Sequence, residues 1–371
     1  MNRSIIDVHV LQTVPPSNLN RDDTGSPKTA YYGGVRRARV SSQAWKRAMR
    51  MAFRKTLDQS ELGLRTKQIL DVLEGRVKSL DAGLDDERAE AIAKDALAAA
   101  GLKVKPPKKD AKEEAEYLVF LSNRQYDRLA EAALAAEREG GKLDGKAAKA
   151  IVKNDHSVDI ALFGRMIADA PDINVDACCQ VAHAISVHAV EPEFDYYTAV
   201  DDQKTEDEEA DAGAAMIGTV EFNSSTLYRY ATIDADRLRE ALGSAAATRR
   251  AVEAAVRAFV TSMPTGKQNT FANRTLPDAV LLTVRDTQPV NLVGAFETPV
   301  DEKEGRLESA SLALARQARD IDNAYGTRPV AAWSVCVGER TRGLAELGEA
   351  VTLDELVGGV GALVAERADR S

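Results

Sequence analysis

The fold class this sequence predicts is α+β. Three observations predict it. Residues 5–13 alternate as a strand does, residues 61–154 are Ala-rich with helical spacing, and strand-like runs alternate with helices from residue 176 onward. With 371 residues the chain has room for one large domain or two, and 44% hydrophobic content is ample for a packed core.

Ile5 to Thr13 reads as the first strand, stopped at Pro15-Pro16, where a ladder loses its donors. A Gly- and Ser-bearing loop follows from Asp22 to Gly34, then a short basic strand from Val35 to Val40. A helix starts at Ser41-Ser42, either of which can cap it. Within it Trp45, Met49, Ala52 and Phe53 fall on one side, and Lys46, Arg47, Arg50 and Arg54 on the other. The Ala-rich block, broken by GLKVKPPKKD and EGGKLDG, is expected as an inserted helical lobe over residues 58–175. Its Lys142, Lys146, Lys149 and Lys153 fall on one helical stripe, which an ordinary solvated face explains equally well. In SVDIALFGRMIA, Arg165 and Met166 follow a glycine, where a ligand can approach the backbone, although core packing is the plainer role for Met166.

Cys179, Val181, His183, Ile185 and Val187 alternate as another strand would. Phe194 to Val200 and Met216 to Phe222 are β-rich arms of a projecting hairpin, about residues 191–219, around a tip with seven acidic residues from Asp201 to Asp211. Val220 to Ala231 is strand-like, and Asp234 to Met263 is helical with a break near Gly243. A polar loop from Gly266 to Thr275 holds Lys267 and Arg274. Ala279–Arg285 reads as a buried strand, Val290–Phe296 as an apolar run, Leu307–Asn323 as a helix, Pro329–Val337 as a strand and Leu353–Arg367 as a final helix. No internal repeat is visible. This order fits a ferredoxin-like palm built from residues 1–57 and 176–371, although periodicity alone does not select it.

Charge singles out one stretch. The chain carries net -9, yet from Thr24 to Leu57 there is no acidic residue and nine basic ones, which leaves the rest of the chain near -18. Like charges repel, so such a cluster on an acidic protein points to an external polyanion. Loop amides, a basic strand and a helix start in succession form a phosphate-binding arrangement.

Other chemistries find little support. His9, His156, His183 and His188 have no Cys or Glu at metal-ligand spacing, and no P-loop, nucleophile elbow or dinucleotide fingerprint is present. Asp22-Asp23 could hold a divalent metal for phosphodiester cleavage, but no third carboxylate is placed near them, and shaping the loop is the simpler role. No metal and no cofactor are expected. Three cysteines make no disulfide framework, no apolar run is long enough for a membrane span and no signal architecture opens the chain, so a reduced cytoplasm is the expected compartment.

Six segments carry a resemblance: VHVLQTVPPSNLNRDD (Val8 to Asp23), GGVRRARVSSQAWKRAMR (Gly33 to Arg50), VDIALFGRM (Val158 to Met166), VAHAISVHAV (Val181 to Val190), YYTAVDD (Tyr196 to Asp202) and GTVEFNSSTLYRYA (Gly218 to Ala231). In this order they resemble the CasC family, the CRISPR RNA-binding backbone subunit of type I-E Cascade. The resemblance implies an RNA-recognition-motif-like (ferredoxin-like) palm, helical fingers and a β-hairpin thumb. It implies a non-catalytic protein of the RAMP superfamily that lines up head to tail along CRISPR RNA in antiviral defence. Its partners would be further copies of itself, the large, small, Cas5-type and Cas6-type subunits of Cascade, and target DNA, with no membrane. Expected RNA contacts are Arg21, Lys28, Arg36, Arg37, Arg39, Ser41, Ser42, Gln43, Lys46, Arg47, Arg50, Arg165 and Met166. The thumb stem would include Tyr196, Tyr197, Thr198 and Ile217, and Lys142, Lys146, Lys149 or Lys153 would meet target DNA. Phosphate contacts position a strand without reading it, which suits a protein that accepts any guide. The residues themselves leave two alternatives: a metal-dependent endoribonuclease using Asp22 and Asp23, and a generic monomeric single-strand RNA binder.

Overall fold

The computed structural model describes residues 3–108, 112–167, 170–199, 216–301, 303 and 305–369. It is a mixed α+β protein that divides into two compact units. The first comprises residues 1–49, 181–232 and 255–362, and the second residues 50–180, 233–254 and 363–371. The expected lobe of 58–175 thus lies inside the second unit, which also draws on two later segments.

The first unit is organised on a large sheet. Its strands run in the order Glu349–Ala350, Ala331–Cys336, Ala279–Arg285, Ile5–Ser17, Met216–Asp234, Ala184–Ser186, Val35–Val40 and Thr29–Tyr32. Ile5–Ser17 is central and nearly all buried. It pairs antiparallel with Ala279–Arg285 from Ile5 opposite Arg285 to Leu11 opposite Ala279. That register ends before Pro15 and Pro16, so neither proline has to donate to it, and the strand runs on past the expected stop. Every residue of Ala279–Arg285 is buried, as both faces of a central strand require. One face packs Leu11, Leu281, Tyr228 and Tyr230 against Ala310, Leu314 and Ala318 of the Arg306–Tyr325 helix. Elsewhere Arg229 lies buried with no carboxylate partner among the described residues, its guanidinium 3.7 Å from the Trp45 ring centroid and donating to Gln12 and the Phe259 carbonyl.

The second unit is helical. Ile69–Leu80, Asp86–Ala99, Asn123–Arg138 and Gly145–Lys153 bury Leu73, Val77, Ile92, Leu97, Tyr126, Leu129 and Val152 in one core. Three of these four helices are capped by a side chain at their start: Asp85 and Asp144 accept the amides of Arg88 and Ala147, and Ser122 with Gln125 forms a reciprocal capping box.

Candidate nucleic-acid interface

In the first unit the strands Thr29–Tyr32 and Val35–Val40 form a tight hairpin around Gly33-Gly34, whose φ values are 59° and 78°. A Cβ on Gly33 would sit 1.6 Å from the Glu297 carbonyl oxygen, so only glycine lets the tip dock there. The Tyr32 hydroxyl adds a bond of 3.2 Å to the Val293 carbonyl.

The basic residues of this hairpin divide into two kinds. Arg37, expected on phosphate, is fully buried. It donates to the carbonyls of Tyr32 (3.1 Å), Ser186 (3.1 Å) and Phe296 (2.8 Å). Its donors hold the fold together, and it leaves the contact set. Arg36 is exposed. Arg39 is half-buried, donating to the Thr29 carbonyl at 3.0 Å and to His183 Nδ1 at 3.1 Å. Burial, and then the charges of Arg39 and Lys28, hold His183 below the usual histidine range. A neutral imidazole therefore stands beside two cations.

The preceding loop is tied down by its own side chains. Asn20 Oδ1 accepts the Ser41 amide at 2.9 Å, and the Lys28 amide donates to the Asn20 carbonyl at 2.9 Å. Asp22 Oδ1 accepts from the Thr24 amide (2.9 Å), the Thr24 hydroxyl (2.7 Å) and the Ser26 amide (3.0 Å). The Thr24 hydroxyl bond leads the interactions that keep its pKa below the usual carboxylate value. That oxygen is committed to loop shape, while Asp23 is exposed. Among the described residues no group of three or more His, Cys, Asp or Glu is placed to hold a metal ion. An open cleft is lined by Leu19 to Gly25 and Gly266, and a narrower one by Lys28, Arg39, Asn20 and Ser225.

The helix Ser42–Thr56 separates its faces as its spacing requires. Trp45, Met49 and Phe53 are buried, while Gln43, Arg47 and Arg54 are exposed and Ser42, Lys46 and Arg50 half-buried. Ser41 is buried and its hydroxyl accepts the Ala44 amide at 3.4 Å, acting as the cap. Among the described residues, Arg21, Lys28, Arg36, Arg39, Arg47, Arg54 and Lys55 have no ion-pair partner. In the second unit, the Arg50 guanidinium lies 5.8 Å from the Phe120 ring centroid.

The second unit presents Met166 in the open. Gly164 has φ 76°, and a Cβ there would meet the Val175 carbonyl at 2.8 Å. Arg165 and Val175 exchange both backbone bonds, at 2.9 and 2.8 Å, and the Ile167 amide donates to Asn174 Oδ1 at 2.7 Å. The Arg165 side chain is buried and donates to the carbonyls of Ile173, Phe120 and Val152. It too leaves the contact set. Met166, between two buried neighbours, is 83% exposed, so the core-packing role is excluded. Of the expected lysine stripe, Lys142 pairs with Asp95, and Lys149 and Lys153 with Asp172. Lys146 is exposed and has no ion pair among the described residues.

The projecting hairpin pairs Glu193–Ala199 with the start of Met216–Asp234, setting Tyr196 opposite Thr219, Tyr197 opposite Gly218 and Thr198 opposite Ile217. Gly218 accommodates the Tyr197 ring, since a Cβ there would fall 2.5 Å from it. Phe194 and Tyr196 are exposed, and the sequence reading had not singled out Phe194. The acidic tip from Asp201 to Asp211 lies outside the described residues.

A model of the CT1975-like protein family matches residues 6–359. The chain belongs to that family. A solved chain of a pre-nicking CRISPR RNA-guided surveillance complex is 34% identical, with 97% of this chain and 100% of that chain covered and a TM-score of 0.85. A second chain, from a CRISPR RNA-guided surveillance complex, is 30% identical over 96% of this chain and 99% of its own, with a TM-score of 0.74. Among curated proteins none matches. This membership agrees with the CasC resemblance read from the sequence. No helix among the described residues is long and apolar enough to cross a membrane.

Proposed function

We propose that this chain is a non-catalytic backbone subunit of a type I-E Cascade-like complex, binding CRISPR RNA in the cytoplasm. The observation that carries this is the run of cations Arg21, Lys28, Arg36 and Arg47, left without ion-pair partners among the described residues of an acidic protein. With Arg39, Lys46, Arg50, Ser42 and Gln43 they neutralise and bond guide phosphates. Ser41 caps the helix behind them. Met166 and the hairpin carrying Tyr196, Tyr197, Thr198 and Ile217 act as wedge and thumb. Copies join head to tail along the guide; a heterologous contact that does not close grows with RNA length. The sheet serves as an RNA-recognition-motif-like palm, and Lys146 is the best placed of its stripe to meet target DNA.

The test is RNA binding at several salt concentrations together with size-exclusion on guides of increasing length. Lys46→Ala is expected to lower the magnitude of the salt slope by ~0.7 for a single strand, equally for unrelated guides. Strong guide-sequence dependence, or no stepwise growth with RNA length, contradicts the proposal.

A further inference from the structure

One aromatic side chain of the edge hairpin is left largely in water. Tyr31 lies on the outermost strand of the large sheet, with 73% of its surface exposed. A tyrosine ring left in water forgoes the burial that normally justifies it. Tyr31 stands directly across from Arg36 in the hairpin register, and the Arg36 guanidinium carbon lies 5.9 Å from the ring centroid. The other face of the hairpin is pinned. Tyr32 is bonded to the Val293 carbonyl, Arg37 to those of Ser186 and Phe296, and Gly33 is wedged against Glu297. Strand alternation then holds Tyr31 and Arg36 on the opposite side, on a backbone that cannot turn them inward. A ring carried on a pinned backbone beside a guanidinium, with the rest of its surface open, is the arrangement that stacks a nucleobase. Phosphate contacts alone would need no aromatic here.

We propose that Tyr31 and Arg36 form a base-stacking platform for single-stranded RNA. The Tyr31 ring takes the face of one nucleobase, and Arg36 neutralises a phosphate beside it. This rests on the RNA-binding reading above. Stacking uses the π-face that every base has, so it adds affinity without selecting sequence.

The experiment compares the full chain with Tyr31→Ala and Tyr31→Trp on two probes. One is a single-stranded RNA; the other is a ribose-phosphate strand of equal length without bases. Tyr31→Ala is expected to bind the RNA roughly 5- to 140-fold more weakly at an unchanged salt slope. Tyr31→Trp is expected to keep the affinity, and all three proteins to bind the base-free strand alike. The platform is overturned if Tyr31→Ala binds the RNA as the unmodified chain does, or loses the same factor on both probes. Weaker assembly on long RNA at unchanged affinity for a short one assigns Tyr31 to a protein contact, and also overturns it. Failure of the unmodified chain to bind either probe removes the RNA-binding reading itself, a result distinct from a silent Tyr31.

Discussion

Arg36 and Arg37 are adjacent, alike in type and opposite in use. Arg37→Ala would leave the carbonyls of Tyr32, Ser186 and Phe296 without their donor. The last two are buried, and at ~1–3 kcal/mol for each buried group left unsatisfied, a loss of about 2 kcal/mol or more is expected in urea unfolding. Arg36→Ala is expected to shift stability by less than about 0.5 kcal/mol and to lower the RNA salt slope by ~0.7 instead. Equal destabilisation by both would refute this division of labour. Part of it was legible, since alternation alone sends neighbours to opposite faces. Which one goes inside is decided by Ser186 and Phe296, far along the chain, and no local pattern announces them. Met166 shows the same limit. A methionine after Gly-Arg reads more plainly as core, and its exposure follows from the Arg165–Val175 bridge.

That bridge also shows how a short segment can be built to display one side chain. Gly164→Ala would add a Cβ 2.8 Å from the Val175 carbonyl at a φ of 76°. It is expected to cost about 1–3 kcal/mol and to speed hydrogen exchange at Arg165 and Val175. Met166→Ala, removing an exposed side chain, should leave both measurements unchanged; a loss of stability from it would show that Met166 packs after all. Helices were the legible parts of the fold, because their caps and breaks are local: Ser41 before Ser42–Thr56, and Gly243 between Ala235–Leu242 and Ala245–Thr261. Strands were less so. The single strand expected through Cys179 and Val187 is two, Cys179–Val181 and Ala184–Ser186. Its pairing is set by remote partners, Ile185 facing both Arg39 and Tyr228. The small strands Gly63–Thr66 and Val119–Ser122 were hidden inside a helical, Ala-rich composition for the same reason.

The chain's two tryptophans, Trp45 and Trp333, both belong to the first unit, so their fluorescence reports the unfolding of that unit. The same unit buries a titratable cluster at its centre. His9 Nδ1 is 2.9 Å from the Tyr228 hydroxyl, which gives its own proton to Asn291. His9 is thus the donor, and its Nε2 is buried without a partner among the described residues. Burial, then the Arg285 charge, pushes its pKa down to about 3 from 6.5. The folded chain keeps His9 neutral where the unfolded chain protonates it. Stability from this source is complete above pH 6.5 and is lost as pH falls from 6.5 toward about 3, with a slope approaching about 1.4 kcal/mol per pH unit. Asp7, which accepts from Tyr230 and faces Arg285, runs the other way. Burial raises its pKa, so the folded form takes up that proton first and offsets part of the loss at the acid end. His9→Gln keeps a donor near Tyr228 and removes the titration. Urea unfolding followed by tryptophan fluorescence should then show a flatter dependence below pH 6.5 than in the unmodified chain. Identical slopes would assign the acid sensitivity to other groups and return His9 to simple packing between Tyr228 and Tyr230.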